Sequence, residues 1–145
     1  MIYLDTTFLV RLYLDEVGFE QVRELAQNSG HIGSSILGRS ETVAAMHRHY
    51  REGKIGRQAF QDACRQFQHD QDDGIFTWFP LTPDLLELVY CTFPDLPSNI
   101  FLRTGDAIHL ATAAGAGLKE IYSNDKHLLA AAPIFKLKGV NPLAK

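Results

Sequence analysis

The sequence predicts an α/β fold in which a short, mainly parallel central sheet is flanked by helices. Short β-prone runs alternate along the chain with helical segments, which is the pattern of a parallel sheet. Residues 2–4 form the first run, and the absence of polar alternation in it predicts a buried central strand. Residues 107–114 are apolar on almost every helical face, which predicts a buried helix.

Length and composition are those of one globular domain, 1–145. The apolar fraction of 46% is ordinary, and the apolar runs are too short to span a membrane. No signal peptide is predicted, and the two cysteines form neither a metal cluster nor a disulfide framework, so a cytoplasmic location is expected. The net charge of −3 argues against nucleic-acid binding through bulk positive charge. It leaves open a nuclease that relies on a metal ion and local basic patches.

The first half of the chain predicts two strands and four helices. Asp5 closes the first strand, and Thr6 and Thr7 are then placed to cap a helix that reaches about Leu14. Glycines bound several of the later helices, whose apolar residues recur at helical spacing. The segments that follow in order are a helix at about 19–28, a weak strand at 31–34, a helix from Ser35 to about Arg51 and a polar helix at about 57–71.

The second half predicts two strands, three helices and a candidate last strand. An aromatic-rich strand occupies 75–79, and Thr82 caps a helix that reaches about Thr92. Thr104 is a good N-cap residue for the buried helix, whose first turn contains Asp106. The remaining segments are a strand at 121–122, a helix at 127–131 and the candidate strand at 134–137.

Four acidic residues from distant parts of the chain are expected to converge. Asp5 and Asp125 each follow a strand directly, Asp106 opens the buried helix, and Glu41 lies six residues beyond Ser35. Parallel sheets bind ligands at the carboxyl ends of their strands, and these acids belong to that edge. The burial of its helix predicts that Asp106 is the least hydrated of the four. Burial and like-charged neighbours should both raise its pKa.

Four carboxylates in one pocket have a restricted chemistry. Two unit charges about 4 Å apart repel by roughly 4 kcal/mol at an effective dielectric of 20, so the group must share protons or hold a cation. Oxygen ligands without histidine or thiolate suit Mg²⁺ or Mn²⁺. Such an ion can bind a scissile phosphate and lower the pKa of a water molecule, which indicates phosphodiester hydrolysis. Spacing alone leaves each acid open to a plainer role as a helix cap or a solvated charge.

Four segments in register carry a family resemblance that covers essentially the whole chain. The chain resembles the PIN-domain ribonucleases, and in particular the VapC toxins of toxin–antitoxin pairs. The segments are 2–9, which ends the first strand in an aspartate, 35–41 with its serine-to-glutamate spacing, 102–113 and 123–125. The departures are small. Thr7 stands where serine or asparagine is more usual, and Ser123 stands where threonine is more usual. Gly105 replaces a larger residue.

The resemblance implies a PIN-like three-layer sandwich and an endoribonuclease that depends on Mg²⁺ or Mn²⁺. It implies that the metal-binding and catalytic residues are Asp5, Glu41, Asp106 and Asp125, with Thr7 and Ser123 beside them. It also implies an RNA substrate, a homodimer and a cognate antitoxin protein. A catalytically silent PIN domain that binds RNA or protein is the main alternative.

Two further features are open to two interpretations. His109 lies three residues after Asp106 but is interpreted as a packing or hydrogen-bonding group rather than a metal ligand. The most basic part of the chain is either a solvated face or a contact surface for the RNA backbone. Its candidate arginines are Arg39, Arg48, Arg51 and Arg57. A phosphotransferase of the haloacid-dehalogenase type is disfavoured because it needs a second aspartate where Thr7 stands.

Overall fold

The computed structural model describes residues 1–144, which form a mixture of short strands and helices. The strands are β1 (Ile2–Tyr3), β2 (Ile32–Ser35), β3 (Phe76–Phe79), β4 (Glu120–Tyr122) and β5 (Lys138–Val140). The helices are α1 (Thr6–Arg11), α2 (Phe19–Ser29), α3 (Ile36–Arg51), α4 (Arg57–Asp72), α5 (Pro83–Thr92), α6 (Thr104–Gly115) and α7 (Lys126–Ala131). Short 3₁₀ helices occupy Phe93–Asp95 and Ala132–Phe135. Within residues 1–144, no helix has the length and hydropathy needed to cross a membrane.

All strand pairs are parallel, and β1 lies in the middle. One side of β1 pairs with β2, which pairs in turn with β3. On the other side Leu4 forms a parallel bridge to Tyr122, and the Asp5 amide donates to the Tyr122 carbonyl at 3.3 Å. Because β4 also pairs with β5, the spatial order is β3-β2-β1-β4-β5. The connections change direction between β1 and β4, and such a switch point is where open α/β sheets bind ligands. The predicted parallel sheet is confirmed.

Helices cover both faces of the sheet. Tyr3 packs on one face in a core with Leu110 of α6 and Ile121 of β4. Leu4 points to the opposite face, where it packs with Phe8 of α1 and with residues of α2. Neighbouring side chains of a strand point to opposite faces, so Tyr3 and Leu4 pack against helices on opposite sides of the sheet. The predicted three-layer α/β arrangement is therefore confirmed.

Helix α6 is the most deeply buried helix of the chain segment that the structure describes. Each residue from Ala107 to Ala113 is buried. The helix contacts β2 and α5, and its alanines allow close approach to both. The burial that the sequence predicted for this helix is confirmed, and it places Asp106 at the edge of the core.

The N-caps predicted for two helices are wrong by one or two positions. The N-cap of α1 is Asp5, whose carboxylate accepts the Phe8 amide at 3.2 Å. Thr6 and Thr7, the predicted caps, are the first two residues of the helix. The helix ends at Arg11 rather than Leu14. Arg103, not Thr104, takes the extended N-cap backbone of α6, and Thr104 is the first helical residue. Aspartate is at least as strong an N-cap as threonine, so the cap of α1 follows intrinsic preference, whereas at α6 the fold of the chain overrides the preference for Thr104.

The predicted last strand at 134–137 is also wrong. Pro133 lies in the first turn of the 3₁₀ helix Ala132–Phe135, where its missing amide proton is tolerated. Lys136 then adopts a left-handed backbone with φ of 60°, which interrupts any extended run. The strand forms only afterwards, as β5.

The first prediction concerns Gly38, which brings α3 against β2 and α6. A Cβ there would lie 2.8 Å from Ser34 Oγ and 3.1 Å from His109 Cε1. Gly38→Ala is expected to lower the free energy of unfolding by about 1–2 kcal/mol, since overpacking outweighs the gain in helix propensity. Gly115→Ala is the matched control, because a Cβ at Gly115 meets no atom within 4 Å. Urea unfolding of both variants measures the difference, and equal stability would contradict the close approach.

Candidate active site

Four acidic side chains line one open pocket at the carboxyl ends of β1 and β4. The pocket has a volume of about 590 Å³. Its walls include the four carboxylates named from the sequence, Asp5, Glu41, Asp106 and Asp125, together with Thr6, Thr7, Ala44, Ala45, Arg48, Arg51, Arg103, Gly105 and His109. The convergence that the spacing predicted is present in the structure.

Three of the four acids lie at helix N-termini. Asp5 is the N-cap of α1, and Asp106 lies in the first turn of α6. Asp125 is the N-cap of α7, where its Oδ1 accepts the amides of His127 at 2.8 Å and Leu128 at 3.1 Å. The positive end of a helix dipole favours a negative charge, so each helix stabilises the acid at its start.

Asp5 is the most buried of the four acids, which corrects the expectation for Asp106. Asp5 is 2% exposed, whereas the side chains of Asp106 and Asp125 are 15% and 16% exposed. Asp106 precedes the buried part of its helix and faces the pocket, whereas Asp5 ends the central strand. Burial raises the pKa of Asp5, and hydrogen bonds from Ser123 and Thr7 oppose that increase.

Both oxygens of Asp5 accept hydrogen bonds. Oδ1 accepts the Thr7 hydroxyl at 2.7 Å and the Phe8 amide at 3.2 Å. Oδ2 accepts the Ser123 hydroxyl at 2.6 Å, and Ser123 Oγ in turn accepts the Asp125 amide at 2.9 Å. Ser123 therefore connects two of the four acids, and Thr7 and Ser123, which the resemblance placed beside the four acids, both donate to Asp5.

Glu41 is oriented by two side chains from other elements. Its Oε1 accepts the Thr6 hydroxyl at 2.8 Å and the His109 Nε2–H at 2.7 Å. His109 is 2% exposed, and its Nδ1 lies 2.8 Å from the Tyr3 hydroxyl, which accepts the Ser35 amide. Partial burial opposes ionisation of Glu41, but the hydrogen bonds from His109 and Thr6 and the nearby Arg103 charge together outweigh it and lower the Glu41 pKa. The hydrogen-bonding role predicted for His109 matches these contacts.

Arg103 is a further residue of the pocket, which the sequence pattern alone did not indicate. Its Nε lies 3.1 Å from Asp106 Oδ2, and its Nη2 lies 2.8 Å from Asp125 Oδ2. Burial and the Asp125 charge raise the pKa of Asp106, while the Arg103 charge lowers it, so the predicted direction holds with one cation added. The spacing of three residues between Arg103 and Asp106 was the available signal, since such pairs meet on a helix surface.

The four predicted RNA-contacting arginines separate into two groups. Arg48 and Arg51 line the pocket from α3. Arg39 instead donates through Nε to Gln71 at 2.6 Å, and Arg57 begins α4 outside the pocket wall.

The four carboxylates of the pocket are the candidate ligands of a divalent metal ion. Among residues 1–144, no three histidine, cysteine, aspartate or glutamate side chains are arranged as a ready cluster for a metal ion. Arg103 lies between Asp106 and Asp125 and takes one oxygen of each. The chemistry of the donors nonetheless fits Mg²⁺ or Mn²⁺, because all four are carboxylates at one pocket. Gly105 leaves room for Glu41 beside α6, because a Cβ added at position 105 would lie 3.3 Å from Glu41 Oε2.

A parallel sheet with carboxylates at its switch point defines an α/β protein with an acidic ligand pocket. The model of one family, the PIN domain, matches residues 2–133, and the chain belongs to that family. PIN domains are typically metal-dependent nucleases. A search of curated proteins returned no match.

Two solved structures share the fold. VapC20 of Mycobacterium tuberculosis, a toxin that cleaves the sarcin–ricin loop, has a TM-score of 0.71 and 19% identity over 90% of this chain and 95% of its own. FitAB bound to a DNA fragment has a TM-score of 0.63 and 15% identity over 100% of this chain and 97% of its own. At identities this low, the structural similarity establishes a common fold. The PIN-like architecture expected from the sequence is confirmed.

The second prediction concerns the pH dependence of the hydrogen bond from Ser123 to the buried Asp5 carboxylate. Burial raises the folded pKa of Asp5 above its unfolded value, so ionised Asp5 lowers stability as pH rises, and the Ser123 hydroxyl offsets part of that loss. Ser123→Ala is expected to lower the free energy of unfolding by about 1.5–3 kcal/mol at pH 8 in EDTA. The loss should shrink as pH falls and Asp5 becomes protonated.

Ser34→Ala is the control for this pH dependence. Ser34 is equally buried, but its hydroxyl donates to the Leu4 carbonyl at 2.8 Å, which does not titrate. Its loss should therefore be the same at pH 4 and pH 8. Denaturant unfolding at both values measures the two variants, and a pH-independent loss for Ser123→Ala would refute the assigned hydrogen bond to ionised Asp5.

Proposed function

We propose that this protein is an endoribonuclease that depends on Mg²⁺ or Mn²⁺ and serves as the toxin of a toxin–antitoxin pair. The observation that carries the proposal is the convergence of four carboxylates from separate elements in one open pocket. The two free thiols, Cys64 and Cys91, support a reducing cytoplasm as its compartment. Membership of the PIN domain family supports the nuclease chemistry, and the structural likeness to VapC20 supports RNA as the substrate.

In this proposal Asp5, Glu41, Asp106 and Asp125 hold the metal ion. The bound ion supplies a Lewis acid that activates a water molecule and neutralises charge on the scissile phosphate. Thr7 and Ser123 hold Asp5 in place, and Thr6 and His109 fix the Glu41 carboxylate. Preorganised ligands of this kind avoid the free-energy cost of rearrangement when charge develops in the transition state.

Water, rather than a ribose hydroxyl, is the proposed nucleophile. Activation of the 2′-hydroxyl would need a free general base, and His109 is the pocket histidine among the described residues. It is 2% exposed and its ring nitrogens already contact Tyr3 and Glu41. Attack by water breaks the bond between phosphorus and the 3′-oxygen, which leaves a 5′-phosphate and a 3′-hydroxyl.

Helix α3 provides the proposed contact with the RNA backbone. It carries Glu41 together with Arg48 and Arg51, and all three line the pocket. At a rise of 1.5 Å per residue, the two arginines lie about 10 and 15 Å along the helix from Glu41. They are therefore placed to bind phosphates on one side of the scissile bond. Small residues, Ala44 and Ala45, leave the intervening floor open.

A homodimer and an antitoxin complete the proposal. Exposed apolar side chains on α5 support a protein interface, because Leu86 is 43%, Leu88 49% and Tyr90 73% exposed. A measurement of molecular mass in solution tests for the dimer. The antitoxin is expected to place a basic group near the acidic pocket, as charge complementarity favours. Weaker complex formation by Asp5→Asn would support that contact.

The main alternative is a PIN domain that binds RNA or protein without cutting it. The presence of all four acids in the pocket argues for chemistry, since a binding module has no need of this crowded charge. Metal-dependent cleavage by the purified protein distinguishes the two.

The third prediction is that single-stranded RNA is cut in Mg²⁺ or Mn²⁺ and not in excess EDTA, with 5′-phosphate and 3′-hydroxyl ends. Asp106→Asn should lose more than the roughly 10- to 100-fold that is usual for residues that only orient metal ligands. Asp84→Asn is the matched control, because Asp84 lies in the first turn of α5 as Asp106 does in α6. Undiminished cutting in EDTA, or 2′,3′-cyclic phosphate ends, would contradict the mechanism.

The fourth prediction concerns the salt dependence of cleavage. Each lost contact to a single-stranded phosphate should reduce the slope of log kcat/KM against log salt by about 0.7. Arg51→Gln removes a pocket arginine and should show that reduction, whereas Arg57→Gln should leave the slope nearly unchanged. Equal slopes for the two variants would contradict the proposed path of the RNA along α3.

A further inference from the structure

Arg103 holds two acids that come from different helices. It is the N-cap residue of α6, and its guanidinium joins Asp106 of the same helix to Asp125, the N-cap of α7. Its own side chain is 59% exposed, against 15% and 16% for the two acids. A long exposed side chain therefore closes over two less exposed carboxylates at the mouth of the pocket.

Arg103 occupies carboxylate oxygens that a metal ion could otherwise bind. Asp125 Oδ1 already accepts two amides of α7, so Oδ2 is its remaining oxygen, and Arg103 takes it. Arg103 also takes Asp106 Oδ2. Two donor oxygens are thus bound to a cation of this chain.

The same arrangement balances charge. The four acids carry a formal charge of −4 when ionised, and Arg103 contacts two of them directly. Its positive charge opposes the effect of burial on the pKa of Asp106. The acids in turn raise the pKa of Arg103, so the guanidinium stays charged.

We propose that Arg103 is the internal counter-ion of the metal-free pocket, and that a divalent metal ion must displace its guanidinium from Asp106 and Asp125. This inference rests on the proposed metal-dependent function. Displacement is feasible because the exposed side chain can move into solvent without opening the core. The released guanidinium remains at the pocket mouth, where it is free to bind an RNA phosphate. An RNA phosphate that holds Arg103 away from the acids then favours metal binding, and by linkage the metal favours RNA binding.

The test is direct measurement of Mn²⁺ affinity by electron paramagnetic resonance, without RNA and without cleavage. The proteins are the parent, Arg103→Gln and Arg51→Gln. Both variants remove one positive charge from the same pocket, but the second leaves the contacts to Asp106 and Asp125 intact. Arg103→Gln is expected to bind Mn²⁺ roughly tenfold more tightly than the parent, and Arg51→Gln less than about threefold more tightly.

A short single-stranded oligodeoxynucleotide then tests the linkage. It should tighten Mn²⁺ binding by the parent but have a smaller effect on Arg103→Gln. Thermal melts in EDTA establish that each variant is folded, and Arg103→Lys, which keeps the charge without the planar fork, should bind Mn²⁺ with intermediate affinity.

The outcomes separate this inference from the proposed function. Folded Arg103→Gln that binds Mn²⁺ no more tightly than Arg51→Gln would overturn the counter-ion role while leaving the metal site in place. An oligonucleotide effect of equal size in the parent and Arg103→Gln would overturn the linkage. If none of the proteins binds Mn²⁺, the proposed metal-dependent function fails, and this inference fails with it.

Discussion

The hydrogen bond from Ser123 to Asp5 is the interaction on which the pocket depends. It joins the end of β1 to the segment after β4, across the point where the sheet changes direction. Asp5 also caps α1, and Ser123 also accepts the amide of Asp125 at the start of α7. A shift of either residue would therefore move two helices and two of the four acids. The geometry of the pocket and the closure of the sheet share these atoms.

The pocket tolerates its concentration of carboxylates because each one has a different source of stabilisation. Asp5 is surrounded by hydrogen-bond donors, whereas Asp125 uses the amides of its helix. Glu41 has Thr6 and a buried histidine, and Asp106 has Arg103. All of these donors belong to this chain, so they offset part of the cost of the negative charge without a contribution from a partner. The free protein can thus hold a pocket that attracts cations.

The sequence was informative where a residue's role follows from its position next to an element. Asp5 and Asp125 follow short apolar runs, and the parallel topology brings such positions together whatever the loops do. The burial of α6 could be predicted because its apolar residues cover almost every face. The four acids and the layered fold therefore emerged from local pattern and family resemblance.

Other features depend on tertiary contacts that a linear pattern does not contain. The partner of Arg103 beyond its own helix is Asp125, which is 22 residues away and near only because α7 begins beside α6. The order of burial between Asp5 and Asp106 required knowledge of which acid faces the pocket opening. The last strand was misplaced because Lys136, a residue that seldom adopts φ of 60°, does so here. Capping strength likewise favoured Thr104, although the backbone begins the helix after Arg103.

The position of β1 has a consequence for the order in which the protein is made. Asp5 is synthesised before its hydrogen-bond partner Ser123, which lies 118 residues further along the chain. At synthesis rates of about 5–20 residues per second, the two are separated by roughly 6 to 24 seconds. During this interval β1 lacks its neighbour β4, and the acidic pocket is incomplete. A nascent chain therefore cannot assemble the acidic pocket until the segment after β4 has emerged.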